Sequence, residues 1–326
     1  MKIPRILVIA AAATLSMLSP AAAQKPEPLP VMASFSILAD FVRAVGGERV
    51  AVDMLVGPDA DAHVFTPAPA DARRVAAAKL IVVNGLGFEG WLDRLLKSAG
   101  SNAPVVVASR GVTARSNEAA HDHDDDDHDH DHDDDHDDDH DHDDHAGHDH
   151  GDTDPHAWQS VANARIYVGN IRDALIAADP AGRAAYEANT RNYLGQLDAL
   201  DRDLKETLAR IPAERRHVIS THQAFGYFTE AYGIAFKAPV GVSTEQEASA
   251  RDVAQLIAQI RREKAPAVFL ENISDPRLAR RIAEETGAKI GGTLYSDALT
   301  KADGPAPTYL DMMRHNMRTI AEALAN

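Results

Sequence analysis

The chain has no cysteine. Neither a disulfide nor a thiolate metal site can be built from it, so a transition-metal site would have to draw on imidazole and carboxylate. A membrane-length apolar run is also missing: Ile6 to Leu18 falls short of the ~20 residues that a spanning helix needs. There is no basic excess. The formal charge is −17, which argues against nucleic acid as a partner.

That charge is not spread over the chain. Between His121 and His150 stand 17 aspartates, 11 histidines, one alanine and one glycine. The 17 aspartates equal the whole formal charge of −17, so the remainder is close to neutral. From about Ser116 to Thr153 there is almost no apolar residue to offset ordering entropy, and no fixed structure is expected there without metal. The tract has three readings: a solvated linker, a weak zinc collector that raises local concentration, or a docking site that accepts zinc from a periplasmic chaperone.

The first 23 residues read as a cleaved secretory signal. Lys2 and Arg5 give the positive start, Ile6 to Leu18 the apolar core, and Ala21-Ala22-Ala23 the small-residue site before Gln24. The expected product is an exported, soluble, periplasmic monomer.

The rest alternates strand and helix patterns. Strands are expected at Pro30–Ser36, Val50–Val56, Leu80–Val83 and Val105–Ala108, with helices at Ile37–Val45, at Asp71–Ala78 and through Trp91, Leu95 and Leu96. After Trp158, Val161 to Ala177 reads as a helix. Asp179-Pro180 then caps a long one running to about Arg210, ~30 residues or roughly 45 Å. Leu194, Leu197, Leu200, Leu204 and Leu208 give it a stripe to bury. The β/α rhythm resumes with His217–Thr221, Ala224–Tyr232, Ile234–Pro239, Arg251–Lys264, Ala267–Glu271, Pro276–Thr286 and Lys289–Leu294, and a last helix runs from Thr308 to about Leu324. The expected class is α/β: two Rossmann-like β/α lobes with parallel sheets, joined by one long rigid helix. The expected division is residues 24–178 for the first lobe, including loop 116–153, 179–211 for the connecting helix and 212–326 for the second lobe.

Outside the tract only five histidines remain. His217, leading a strand, and His315, in the last helix, read as ordinary. His63, His156 and His222, with Asp297, each lie in a polar loop, just past a strand or before a helix, where open α/β sheets bind ligands. No pair is close in sequence, so tertiary structure alone can join them. Three imidazoles and one carboxylate suit Zn2+. Asp61 and Asp154 each stand two residues before a histidine; either could accept a ring N–H or cap the turn.

The neighbours of these residues carry a resemblance. Asp61-Ala62-His63-Val64-Phe65-Thr66-Pro67, Asn84-Gly85-Leu86-Gly87-Phe88-Glu89-Gly90-Trp91-Leu92, Asp154-Pro155-His156-Ala157-Trp158, Thr221-His222-Gln223-Ala224-Phe225-Gly226-Tyr227-Phe228 and Leu294-Tyr295-Ser296-Asp297-Ala298-Leu299 appear in the order seen in metal-binding solute receptors of ABC importers. The chain resembles the zinc-type members of that family. The resemblance implies metal in the cleft between two lobes, held by His63 and His156 from the first and His222 and Asp297 from the second, and delivery to a membrane permease. Manganese-selective relatives generally carry glutamate at the position of His222, and the acidic histidine-rich insertion is a zinc-receptor feature. Ala248 departs from the proline that relatives often have there.

Other functions compete. A manganese or iron receptor would share the fold. An exported zinc hydrolase would need a general base, for which Glu89 and Glu271 are the candidates, and an open metal position. In a storage protein or adhesin the acidic tract would do the binding. A site closed by four protein ligands favours a receptor over an enzyme.

Overall fold

A computed structural model gives the architecture, and it describes residues 27–116 and 153–325. The signal read at 1–23 and the His121–His150 tract lie outside the described residues.

The first lobe is a parallel sheet in the order β2-β1-β3-β4. Its strands are β1 (Leu29–Phe35), β2 (Val50–Val56), β3 (Leu80–Val83) and β4 (Val105–Val107). All four residues of β3 are buried, as expected of a parallel strand covered on both faces. Helices α1 (Ser36–Gly46), α2 (Pro69–Ala77) and α3 (Leu92–Ala99) connect the strands.

The second lobe repeats the plan with the parallel order β10-β9-β7-β8. It comprises β7 (His217–Ile219), β8 (Ala235–Lys237), β9 (Ala267–Glu271) and β10 (Lys289–Leu294), with α6 (Gly226–Tyr232), α7 (Ala250–Glu263) and α8 (Pro276–Thr286). Alternation along these strands divides the apolar residues between two cores. Val218, Ala267 and Phe269 join a large core shared with the first lobe, whereas Ile219 and Val268 face a small one with Leu256, Ile257, Ile260, Ala279 and Ile282.

Between the lobes run α4 (Val161–Ala178) and the long α5 (Arg183–Leu208). α5 has 26 residues, because Pro180–Gly182 forms a separate 3-10 turn and the helix stops at Leu208. It therefore spans about 39 Å rather than the longer strut expected from sequence. Tyr186, Tyr193, Leu197, Leu200, Leu204 and Leu208 form its buried stripe, and Leu194, half-buried, packs against the same core. The last helix, α9 (Tyr309–Ala325), packs on β10, α5 and α1 and so forms a second seam.

Two boundaries differ from expectation. The structureless loop read at 116–153 is ordered at both ends: β5 (Arg115–Ser116) pairs antiparallel with β6 (Thr153–Asp154). Partners outside the loop make this possible, since the Arg115 backbone N–H donates to Tyr227 and its side chain to Glu230. The strand foreseen to Thr221 ends at Ile219, because Glu271 Oε1 accepts from the backbone N–H of Thr221 and His222 and from the Thr221 hydroxyl. A carboxylate thus replaces the ladder partners there.

Candidate metal centre

His63 lies in the loop after β2. Its backbone N–H donates to Asp61 Oδ1 at 2.9 Å, while Trp91 Nε1 donates to the Ala62 carbonyl at 2.8 Å. Its ring meets the edge of Phe88, with centroids 4.7 Å apart.

His156 opens the turn before α4. It is fully buried, and the Trp158 ring lies beside it at 5.3 Å. Asp154 Oδ1 accepts the His156 backbone N–H at 3.0 Å and faces ring Nδ1 at 2.9 Å. Asn84 Nδ2 fixes the intervening residue by donating to the Pro155 carbonyl.

His222 follows β7. Its Nδ1 stands 2.7 Å from Glu271 Oε2, a close ion-pair contact. Asp297, between β10 and α9, is fully buried. The carbonyl of its neighbour Ser296 accepts from Trp158 Nε1 at 2.9 Å and Gln159 Nε2 at 2.7 Å. The loops carrying His156 and Asp297 are therefore tied together across the lobes.

These four side chains converge. His63 Nε2 is 3.3 Å from His156 Nε2, which is 3.4 Å from His222 Nε2. Asp297 Oδ2 is 3.1 Å from His222 Nε2 and 3.3 Å from His63 Nε2, and Oδ1 is 3.5 Å from His156 Nε2. One donor atom from each residue lies within 4.8 Å of every other. Four donors placed tetrahedrally at zinc distances of about 2.0–2.1 Å from a centre stand about 3.3–3.4 Å apart. The five contacts of 3.1–3.5 Å bracket that spacing.

Its electrostatics favour a cation. Burial would raise the Asp297 carboxyl, yet His156 and His222 hold it well below the usual range. Burial pushes His63 below an ordinary imidazole, against the pull of Asp297. Burial opposes charge on His222 too, but Glu271 and Asp297 raise it well above an ordinary imidazole; Asp297 and Asp154 raise His156 in the same way. The Asp154 carboxylate at Nδ1 of His156 places the ring proton there and leaves Nε2 facing the centre, and Glu271 Oε2 stands close to Nδ1 of His222. Asp297 Oδ1 makes no hydrogen bond among the described residues although it is buried. A cation would satisfy that oxygen and separate Nε2 lone pairs that otherwise point at one another.

The remaining candidates have other duties. Asp154 accepts a ring N–H, but Asp61 does not: its Oδ1 caps the His63 backbone and its Oδ2 accepts from Thr244 Oγ1 at 2.6 Å, across the cleft. Glu89 accepts from Ser34 Oγ, Asn84 N and Gly85 N beneath the first-lobe loop, and Glu271 supports His222, so both weighed bases are engaged in holding loops. Sequence reasoning gave Glu271 no supporting role; the available signal was an acidic residue ending the strand next to His222's own. His217 Nε2 faces the Glu263 carbonyl, and His315 Nε2 faces the Thr293 carbonyl.

Two parallel-sheet lobes closing on a buried three-histidine, one-aspartate cage define a metal-binding receptor of the ABC importers. The chain belongs to the ZnuA family, described as zinc-uptake complex component A, periplasmic, whose sequence profile matches residues 31–323. It is 32% identical over 293 residues to the iron-binding protein YfeA of Yersinia pestis, covering 90% of this chain and 85% of that one. It is 28% identical to the manganese ABC transporter substrate-binding lipoprotein PsaA of Streptococcus anginosus, covering 91% and 89%. The periplasmic zinc-binding protein TroA of Treponema pallidum superposes with a TM-score of 0.78 at 28% identity, over 92% of this chain and all of the other. Receptors of this family work with a membrane permease and its ATPase, and the cargo named differs among these relatives.

Proposed function

We propose that the chain is an extracytoplasmic zinc receptor: His63, His156, His222 and Asp297 bind Zn2+ as cargo for an ABC permease, without catalysing a reaction. One observation carries the choice of zinc. Three imidazole nitrogens and the carboxylate oxygens of Asp297 stand 3.1–3.5 Å apart along five contacts, two between imidazoles, two to Oδ2 and one to Oδ1. That set is nitrogen-rich and of tetrahedral size, whereas manganese prefers oxygen donors and six-coordination. All four residues are buried, and the fourth position that a catalytic zinc keeps for water is taken by Asp297.

A manganese or iron receptor is the second reading. It is favoured by both oxygens of Asp297 facing the cage and by the names of the YfeA and PsaA relatives. Competitive titration of Zn2+ against Mn2+ on a chain lacking residues 121–150 separates the two. The expected result is one tight site with strong zinc preference, narrowed by His222→Glu. Manganese binding as tight as zinc in the unsubstituted cage would transfer the assignment to the second reading. In the same experiment the His/Asp tract is expected to account for additional weak zinc sites, as a collector or as a landing place for a zinc donor. Equal stoichiometry with and without it would leave the tract as a linker.

A further inference from the structure

Arg115 stands outside the cage, on β5, where three segments meet. The ladder pairs it with Asp154 of β6, and its Nη1 lies 3.4 Å from Asp154 Oδ2. Its Nε donates to Glu230 Oε1 at 2.7 Å and its backbone N–H to Tyr227 Oη at 3.0 Å, both on α6 of the second lobe. Asp154 is almost wholly buried, with its other oxygen committed to the backbone and ring of His156. One carboxylate thus has a metal-side oxygen on His156 and an outer oxygen on Arg115.

The space around the pair is fitted to it. Gly226 opens α6 four residues after His222, and a Cβ there would collide with Asp154 Oδ2 and with the Arg115 guanidinium. A carboxylate held at one oxygen keeps rotational freedom about its Cβ–Cγ bond. Held at both, it fixes the imidazole in the plane and tautomer that aim Nε2 at the metal.

We propose that Arg115 is a positioning residue for metal capture: it fixes Asp154, which fixes His156, at the point where the first lobe touches α6. This rests on the reading of His156 as a metal ligand. Arg115 contacts neither the metal nor any of the four ligand side chains, so its effect passes through Asp154.

The test measures Zn2+ affinity of the full chain by competition with a chelator strong enough to strip the His/Asp tract, together with the d–d absorption of Co2+ in the tight site. Arg115→Ala should weaken zinc binding about 3- to 10-fold, short of the ~10- to 100-fold that loss of a carboxylate behind a ligand histidine brings. The Co2+ bands should shift in Arg115→Ala and return toward wild type in Arg115→Lys. In an Asp154→Asn background, Arg115→Ala should add nothing. Unchanged affinity and bands in Arg115→Ala, alongside a clear loss in Asp154→Asn, would overturn the proposal. So would losses that multiply in the double variant. Glu230→Gln should behave as wild type; if it reproduces Arg115→Ala, the contact with α6 is responsible and the route through Asp154 falls. Arg115→Gln, which keeps the side-chain stem, carries the test if the alanine variant does not fold. Full affinity in His156→Ala is a different failure, since it removes the metal-site reading itself.

Discussion

The two lobes support their halves of the cage in different ways. In the first, His63 and His156 lean on aromatic rings, Phe88 and Trp158, with Asp154 added at His156 Nδ1, and their loops are rooted in the large core that continues through α5 and α9. In the second, His222 leans on a carboxylate and follows Ile219, which faces the small core made with α7 and α8. Asp297 belongs with the first group in this respect: its loop is bound to Trp158 and Gln159 through the Ser296 carbonyl. Three candidate ligands therefore stand on one continuous block, while His222 lies at a boundary, between Ile219 of the small core and Ala224 and Phe225 of the large one. A small core buries less apolar surface and opens at lower free energy. Any loosening of the cage should begin on the His222 side.

The strongest test of that division is removal of single ligands. Structural zinc sites bind with about 10–16 kcal/mol, so one ligand of four corresponds to roughly 10²–10³-fold in affinity. Asp297→Ala is expected at the top of that range, because Asp297 approaches all three Nε2 atoms and carries the negative charge within the cage. His63→Ala, which removes a ring from the aromatic wall, is expected at the bottom. Isothermal titration on the chain lacking 121–150 ranks them, and a reversed order would break the comparison.

Protons give the next effect in size. A metal must displace any proton on Nε2. His222 and His156 are raised above an ordinary imidazole by their carboxylates, while burial lowers His63. Zinc affinity should therefore fall as pH drops, starting above the ordinary imidazole value and steepening by about tenfold per unit for each proton displaced. This onset is higher than the pH of about 6 that unperturbed histidines would give. Glu271→Gln removes the leading charge that raises His222 and should move the onset down. An onset unmoved by Glu271→Gln would show that the second lobe's charge is not what distinguishes it.

Much of this was legible in the order of residues. The four side chains that converge were visible as candidates because each sits in a polar stretch against an apolar strand or helix, with proline or aromatic neighbours that fix the backbone. Element order followed from periodicity. What stayed hidden depends on contacts between distant segments. Asp61 and Asp154 share the same spacing to a histidine, yet only Asp154 reaches the ring, since the Thr244 hydroxyl holds the other oxygen of Asp61. Strand β5 has two residues and no pattern of its own; Arg115 pairs with Asp154, 39 residues on, and bonds to Tyr227 in the other lobe. The split of the second lobe into two cores is carried by alternation in β7 and β9, but which face meets which helix is decided by packing.

The smallest effect concerns the rim. The loop after β8 is bound to the His222 segment, by a bridge between His222 and Val240 and by Gln223 N donating to the Gly241 carbonyl. From there Thr244 Oγ1 reaches Asp61 Oδ2 at 2.6 Å, and Asp61 caps His63. This hydrogen bond connects the loops of His63 and His222. Thr244→Val keeps the shape and removes the hydroxyl. A hydrogen bond to a charged group at a half-buried site contributes about 1 kcal/mol net, or roughly 5-fold in a rate. Stopped-flow release of Zn2+ to a chelator should be faster by about that factor in the variant, with association unchanged. Amides of α7 and α8 should lose metal-dependent protection from hydrogen exchange in the same variant, while those of α1 and α5 keep theirs. Equal changes in both groups would mean that the two cores open as one, and the division between the lobes would have no dynamic consequence.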